Sequence, residues 1–149
     1  MRMADGGEAE LIRELVARAC FALDSGDTEG WVSFFTEDVE WEAEGVAKLR
    51  GRQEMRDLHK RYAGGSVRAR HVVGNHVVDV RGDSASFRSY ITVFRVEQGA
   101  EIKVMTSGSY HYEFAKTDGV WLARRFKFAL DIPVLEDHAQ ARRRGTPDP

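Results

Sequence analysis

The chain has one cysteine, no excess of charge of either sign and no long apolar run, and each lack removes a class of protein. With Cys20 alone, a disulfide within the chain is impossible. Its apolar neighbours make it a packed thiol rather than a nucleophile. Basic residues number 22 and acidic residues 24, a formal net charge of −2, so nothing electrostatic favours DNA, RNA or an anionic membrane as partner. No stretch approaches the roughly 20 apolar residues that span a bilayer. The opening Met1-Arg2-Met3-Ala4-Asp5-Gly6-Gly7 has no apolar region of the secretory kind, so a cytoplasmic protein is expected. Phosphate-cradling glycine loops, a G-x-S-x-G elbow and a C-x-x-C pair are missing too. His59, His76, His111 and His138 show neither HxxxH nor carboxylate-bracketed spacing, so no metal is expected.

What is present fits one core. At 149 residues and 42% hydrophobic content the chain suits a single domain. Its expected bounds are a flexible N-terminus over 1–8, a folded domain over 9–135 and a solvated tail over 136–149. That tail carries Arg142-Arg143-Arg144.

Leu11, Ile12, Leu15, Val16, Ala19, Cys20 and Leu23 recur on one face of a 3.6-residue period, which predicts a helix with that face buried. Glu10, Arg13, Glu14 and Arg18 fall toward water, whereas Asp24 extends the buried stripe before Ser25-Gly26-Asp27 ends the helix. Asp27 can cap a short second helix with Trp31, Phe34 and Phe35 on its apolar edge, ending near Asp38. Val39, Trp41 and Ala43 then alternate with Glu40, Glu42 and Glu44, a half-buried strand with an acidic outer face. Gly51 precedes a third helix with Met55, Leu58, His59 and Tyr62 on one side, and Gly64-Gly65 stops it.

Four strands follow, over 67–80, 84–96, 101–114 and 120–130. Arg81-Gly82-Asp83, Glu97-Gln98-Gly99-Ala100 and Lys116-Thr117-Asp118-Gly119 join them as hairpins. The pattern predicts an α+β fold: three N-terminal helices against a strongly curved, cone-shaped antiparallel (mixed) sheet that encloses a pocket.

A buried acid needs a partner, and a strand histidine facing the helix can both satisfy it and do chemistry. His71 opens the segment running to Val80 and is the natural partner of Asp24, although Asp24 could instead cap amides of its own turn. In such a pair the carboxylate fixes the imidazole tautomer and stabilises the imidazolium formed on proton abstraction. Strand parity nominates substrate-facing donors. Tyr110 and Tyr112 share a face with Ile102, Val104, Thr106 and Gly108, while Tyr90 shares one with Arg88 and Thr92. Trp41 offers an apolar wall and an indole N–H. Arg124 and Arg125 alternate, so one of them points inward; His71 and His76 face opposite ways unless Gly74-Asn75 bulges.

From Leu11 to about Asp131 the chain resembles the SnoaL-like family of the nuclear transport factor 2-like superfamily, which includes scytalone dehydratase, bile acid 7α-dehydratase and hexachlorocyclohexane dehydrochlorinase. The carrying residues are Leu23-Asp24-Ser25-Gly26-Asp27, Phe34-Phe35-Thr36-Glu37-Asp38-Val39, Gly51-Arg52, Arg70-His71-Val72-Val73-Gly74-Asn75, Gly119-Val120-Trp121 and Arg124-Arg125. The resemblance implies a cone of sheet with helices at its mouth, and makes Asp24 the residue that orients His71, the base. It favours Arg125 over Arg124 as a pocket residue. Scytalone dehydratase has a second histidine where Ser89 or Tyr90 falls, and an asparagine where Ser109 or Tyr110 falls, which argues for a different substrate.

The implied function is a cofactor-independent, dehydratase-like lyase, or a related isomerase or cyclase, acting on a hydrophobic cyclic molecule such as a polyketide or steroid. The alternative is a non-catalytic binding or assembly subunit like the β subunits of ring-hydroxylating dioxygenases. Apolar residues left on the outer sheet face point to a homodimer or homotrimer.

Overall fold

The computed structural model describes residues 6–63, 68–96 and 102–131. The Gly64-Gly65 stop, the Glu97–Ala100 turn, His138 and the expected tail lie outside the described residues.

Helix α1 spans Gly6–Ser25, α2 Thr28–Ser33 and α3 Gly51–Ala63. Strands β1 Phe35–Ala43, β2 Ala47–Arg50, β3 Arg68–Arg81, β4 Ser84–Val96, β5 Ile102–Thr117 and β6 Val120–Leu130 form one sheet in the order β2-β1-β6-β5-β4-β3. The four later strands make the expected antiparallel meander. The sheet is mixed because β1 lies parallel to β6, whereas every other neighbour is antiparallel.

The apolar stripe of α1 is buried through Ile12, Val16, Ala19 and Cys20. The helix begins inside the stretch expected to be flexible, and Glu8 explains why: its carboxylate accepts from Lys116 Nζ at 2.7 Å and from the Trp121 indole N–H. These donors hold Glu8 below the usual carboxylate range and fasten the first turn to the β5–β6 hairpin. At the other end Gly26 takes φ +79°, a conformation open to glycine, and the Asp27 N–H reaches the Ala22 carbonyl at 2.9 Å. Asp27 caps α2 as expected, accepting from the Gly30 N–H at 2.9 Å.

Helix α2 is shorter than its sequence suggests. The Ala123 N–H takes the Phe34 carbonyl at 3.0 Å, so Phe35 enters the sheet instead of continuing the helix. Strand β2, absent from the sequence expectation, pairs with β1 and sets Arg50 and Lys48 against the acidic outer face, at 3.0 Å from Glu40 and 3.3 Å from Glu42. Arg52 ties α3 to β1, donating to the Phe35 carbonyl at 2.8 Å and to Glu37 at 2.5 Å.

The β1–β6 pair slips between Phe35 and Glu40, and three further irregularities move residues between faces of the later strands. On β3 the register slips between Gly74 and Val77, with Asn75 at φ 57°. Ala69 and Val73 pack on the core before the slip, and Val78 and Val80 after it; His76 comes within 5.4 Å of the Phe87 ring. Between β4 and β5 the slip at Val93/Phe94 turns Ile102 and Val104 outward, away from the face of Tyr110, contrary to simple alternation. On β6 the slip opposite Glu113/Phe114 lets Ala123 and Phe126 both face the core. Arg124 and Arg125 are therefore both exposed, and neither points inward.

Gly108 on β5 sits where the sheet closes tightly. A Cβ added there would lie 2.1 Å from the Ala129 carbonyl oxygen, whereas one added at Gly74 would meet nothing within 4 Å. Gly108→Ala is expected to cost about 1–3 kcal/mol of stability through overpacking. Gly74→Ala should leave it unchanged or raised by about 0.4–1 kcal/mol. Urea unfolding followed by tryptophan fluorescence measures both.

Candidate functional site

A cavity of about 760 Å³ opens between the helices and the inner face of the sheet. Its walls are aromatic: Trp41 stacks on Phe126 at 5.4 Å and meets Trp31 edge-on at 6.4 Å, while Tyr110 lies edge-on to Phe126 and Phe128 at 4.9 and 5.0 Å. Phe21, Val46 and Met105 line it with exposed side chains.

Asp24 and His71 meet in this wall. The Asp24 Oδ1 accepts from His71 Nδ1 at 2.5 Å, and Oδ2 accepts from the backbone N–H of the same residue at 3.0 Å. Their side chains are 10% and 14% exposed. Asp24 does not serve the amides of its own turn, because the Gly26 and Asp27 N–H groups go to the Leu23 and Ala22 carbonyls. A carboxylate can only accept, so Nδ1 carries the proton and Nε2 presents a lone pair. Among the described residues that nitrogen has no partner. It is a basic ring nitrogen of a cavity-lining residue.

The other nominated residues divide. Trp41, Tyr110 and Tyr112 line the cavity. Burial pushes both phenols well above their ordinary ionisation range, with Cys20 and Asp24 adding to the effect at Tyr110, so both remain protonated donors. Among the described residues neither hydroxyl has a hydrogen-bond partner.

Tyr90 is a correction: even parity on β4 sends it to the outer face, 67% exposed, while its neighbour Ser89 is buried. Arg125 is another. The β6 irregularity turns it out to Glu40 and Glu113 at 3.1 and 3.3 Å, with its side chain 54% exposed.

Several wall residues escaped nomination, among them Arg68, Arg70, Thr106, Cys20 and His59. Cys20, read as a packed thiol, borders the cavity, and burial pushes its thiol from 9.0 up to about 12. His59, read only as part of an apolar helix side, is 6% exposed and lines the cavity. Its position four residues after Met55 was legible as buried; its partners come from other elements and leave no local signal. Among the described residues no three His, Cys, Asp or Glu side chains converge as a metal site, and no helix is long and apolar enough to cross a membrane.

Three helices over a curved mixed sheet with a carboxylate–imidazole pair in the hollow define a small pocket protein of the cystatin-like, nuclear transport factor 2-like class. Within that class the chain belongs to the SnoaL-like domain family, whose model matches residues 8–127. Among solved structures it is similar to a variant of the function-unknown protein Rv3472 of Mycobacterium tuberculosis, at 33% identity over 88% of this chain and 77% of that one, with a TM-score of 0.77.

A candidate scytalone dehydratase from Novosphingobium aromaticivorans shares 20% identity over 87% of this chain and 89% of its own, with a TM-score of 0.75. The β subunit of a candidate aromatic-ring-hydroxylating dioxygenase from the same organism shares 18% over 87% and 93%, with a TM-score of 0.73. At those identities the last two share the fold. No curated protein sequence matches the chain.

Cys20, Tyr110 and Tyr112 titrate in one direction. Above pH 9 the unfolded chain releases a cysteine proton that the folded chain keeps until about pH 12, so the native state binds more protons and stability falls as pH rises through that window. Both tyrosines act with the same sign. Denaturant midpoints should therefore decline as pH rises beyond about 8.5. Cys20→Ser should shallow the decline, and a thiol reagent at pH 8 should label Cys20 only on unfolding.

Proposed function

We propose that this protein is a cofactor-independent lyase of the dehydratase kind, or an isomerase or cyclase using the same proton transfer, acting on a hydrophobic cyclic small molecule. The observation that carries the proposal is His71 in the cavity wall with Asp24 holding Nδ1 and, among the described residues, no partner on Nε2. In the proposed step Nε2 takes a proton from a substrate carbon next to a carbonyl or opposite a leaving group, and Asp24 stabilises the imidazolium. Tyr110 or Tyr112 donates to the oxygen on which negative charge develops. In dehydration the proton returns to the departing hydroxyl, which leaves as water; in isomerisation it returns to another carbon. Trp41 and Phe126 provide a flat apolar surface for a ring. Tyr90 and Arg125 have no part in this site.

The fold shared with a dioxygenase β subunit supports a second reading, a ligand-binding or assembly subunit without chemistry. A polarised imidazole in the cavity wall, its Nε2 without a partner among the described residues, supports the first.

A panel of cyclic β-hydroxyketones and related polyketide-, steroid- and aromatic-type alcohols, followed for loss of water by mass and absorbance, should yield a turned-over compound. On it, His71→Ala and Asp24→Asn should each lower kcat by about 10²–10⁴ while ligand binding persists. Undiminished turnover in a folded His71→Ala protein would remove the proposal.

Val72, Val77, Tyr90, Ile102 and Val104 lie exposed on the outer side of β3–β5. We infer that a second or third copy covers them, giving a homodimer or homotrimer. Native mass spectrometry at micromolar concentration should show that species, and Tyr90→Glu with Val104→Glu should dissociate it; a wild-type monomer would refute the assembly.

A further inference from the structure

The cavity wall holds two histidines, and they are wired in opposite senses. His71 has one nitrogen open. His59, on α3, has both engaged: Nδ1 lies 2.9 Å from the Thr28 hydroxyl and Nε2 lies 3.3 Å from the Leu23 carbonyl oxygen. A carbonyl can only accept, so Nε2 carries the proton and Thr28 donates to Nδ1. With both nitrogens satisfied and its ring 5.2 Å from Trp31, His59 offers a ligand neither a base nor a donor.

What His59 does hold is the last turn of α1. The carbonyl it reaches belongs to the residue immediately before Asp24, among the final carbonyls that a helix leaves without intrahelical partners. The Gly26 N–H shares that carbonyl at 3.3 Å. Two residues from different elements therefore meet α1 at adjacent positions: His59 through the backbone of Leu23 and His71 through the carboxylate of Asp24. Thr28, the first residue of α2, fixes the His59 ring, so α1, α2 and α3 are cross-tied at the point from which Asp24 projects.

We propose that His59 is the positioning residue of the Asp24–His71 pair, setting the end of α1 so that the carboxylate meets Nδ1 and leaves Nε2 open. The proposal deepens the reading of His71 as base, yet its first test needs no substrate. Long-range 1H–15N spectra of the full-length protein should show opposite neutral tautomers, with the proton on Nδ1 at His71 and on Nε2 at His59. In His59→Leu the Nδ1 tautomer of His71 should lose its dominance and its low-field Nδ1 proton should broaden or vanish, while circular dichroism shows a folded chain. His59→Gln, whose amide can still donate toward the Leu23 carbonyl, should restore both signals.

Where a turned-over substrate is in hand, His59→Leu should lower kcat roughly 10- to 100-fold with KM little changed, and His59→Gln should recover most of it. Should His59→Leu fail to fold, Thr28→Val, which keeps the imidazole but frees its ring, should shift the His71 signals in the same direction. Wild-type His71 signals in folded His59→Leu, or in Thr28→Val where the former does not fold, would overturn the proposal. Shifted His71 signals together with undiminished turnover in His71→Ala would instead retain the positioning role and discard the proton-transfer reading.

Discussion

The bond from the Asp24 carboxylate to His71, made at both the imidazole and the backbone N–H, joins the end of α1 to the outermost strand of the sheet. A carboxylate that is largely removed from water carries a large desolvation penalty, which two hydrogen bonds to one residue offset. Because one of them is to the backbone, the carboxylate fixes where β3 runs as well as how the ring turns. The packing of α1 on β3 and the orientation of the His71 ring are thus consequences of a single contact. Replacing the imidazole would still leave the backbone half of that contact, so stability and chemistry at this point are partly separable.

The sequence carries this site in two local patterns. Asp24 continues a helical stripe whose other members are apolar, and a polar residue in such a place must find a partner in the core. His71 stands in a strand of valines. Neither pattern alone specifies the pairing; the order of motifs across the SnoaL-like family supplied the expectation, and the geometry brings the two together.

Strand parity was a less secure guide. It held for Tyr110 and Tyr112 and failed at Arg125, because one inserted residue in β6 exchanges faces for everything beyond it and arginine pairs carry no mark of a bulge. A separate slip, between β4 and β5 at Val93/Phe94, hid the outward turn of Ile102 and Val104. Only Gly74-Asn75, with residues suited to unusual backbone angles, announced its irregularity. Strand β2 and the parallel β1–β6 pairing left no trace for a different reason. Their stabilising hydrogen bonds join residues remote in the chain, and four residues are too few to show a period.

The Tyr110 and Tyr112 phenols, donors in the proposed step, are fixed by packing rather than by hydrogen bonds. Tyr110 is flanked edge-on by Tyr112, Phe126 and Phe128, and Tyr112 by Phe34 and Phe87, so neither ring can swing without displacing several others. Their hydroxyls keep little freedom beyond rotation about the C–O bond. Such donors meet a developing negative charge without reorganising, and burial among aromatic rings raises the strength of that interaction while preventing their own ionisation. Under the proposed function, a wall in which the acceptor is oriented by a carboxylate and the donors by rings suits movement of one proton across a flat apolar molecule.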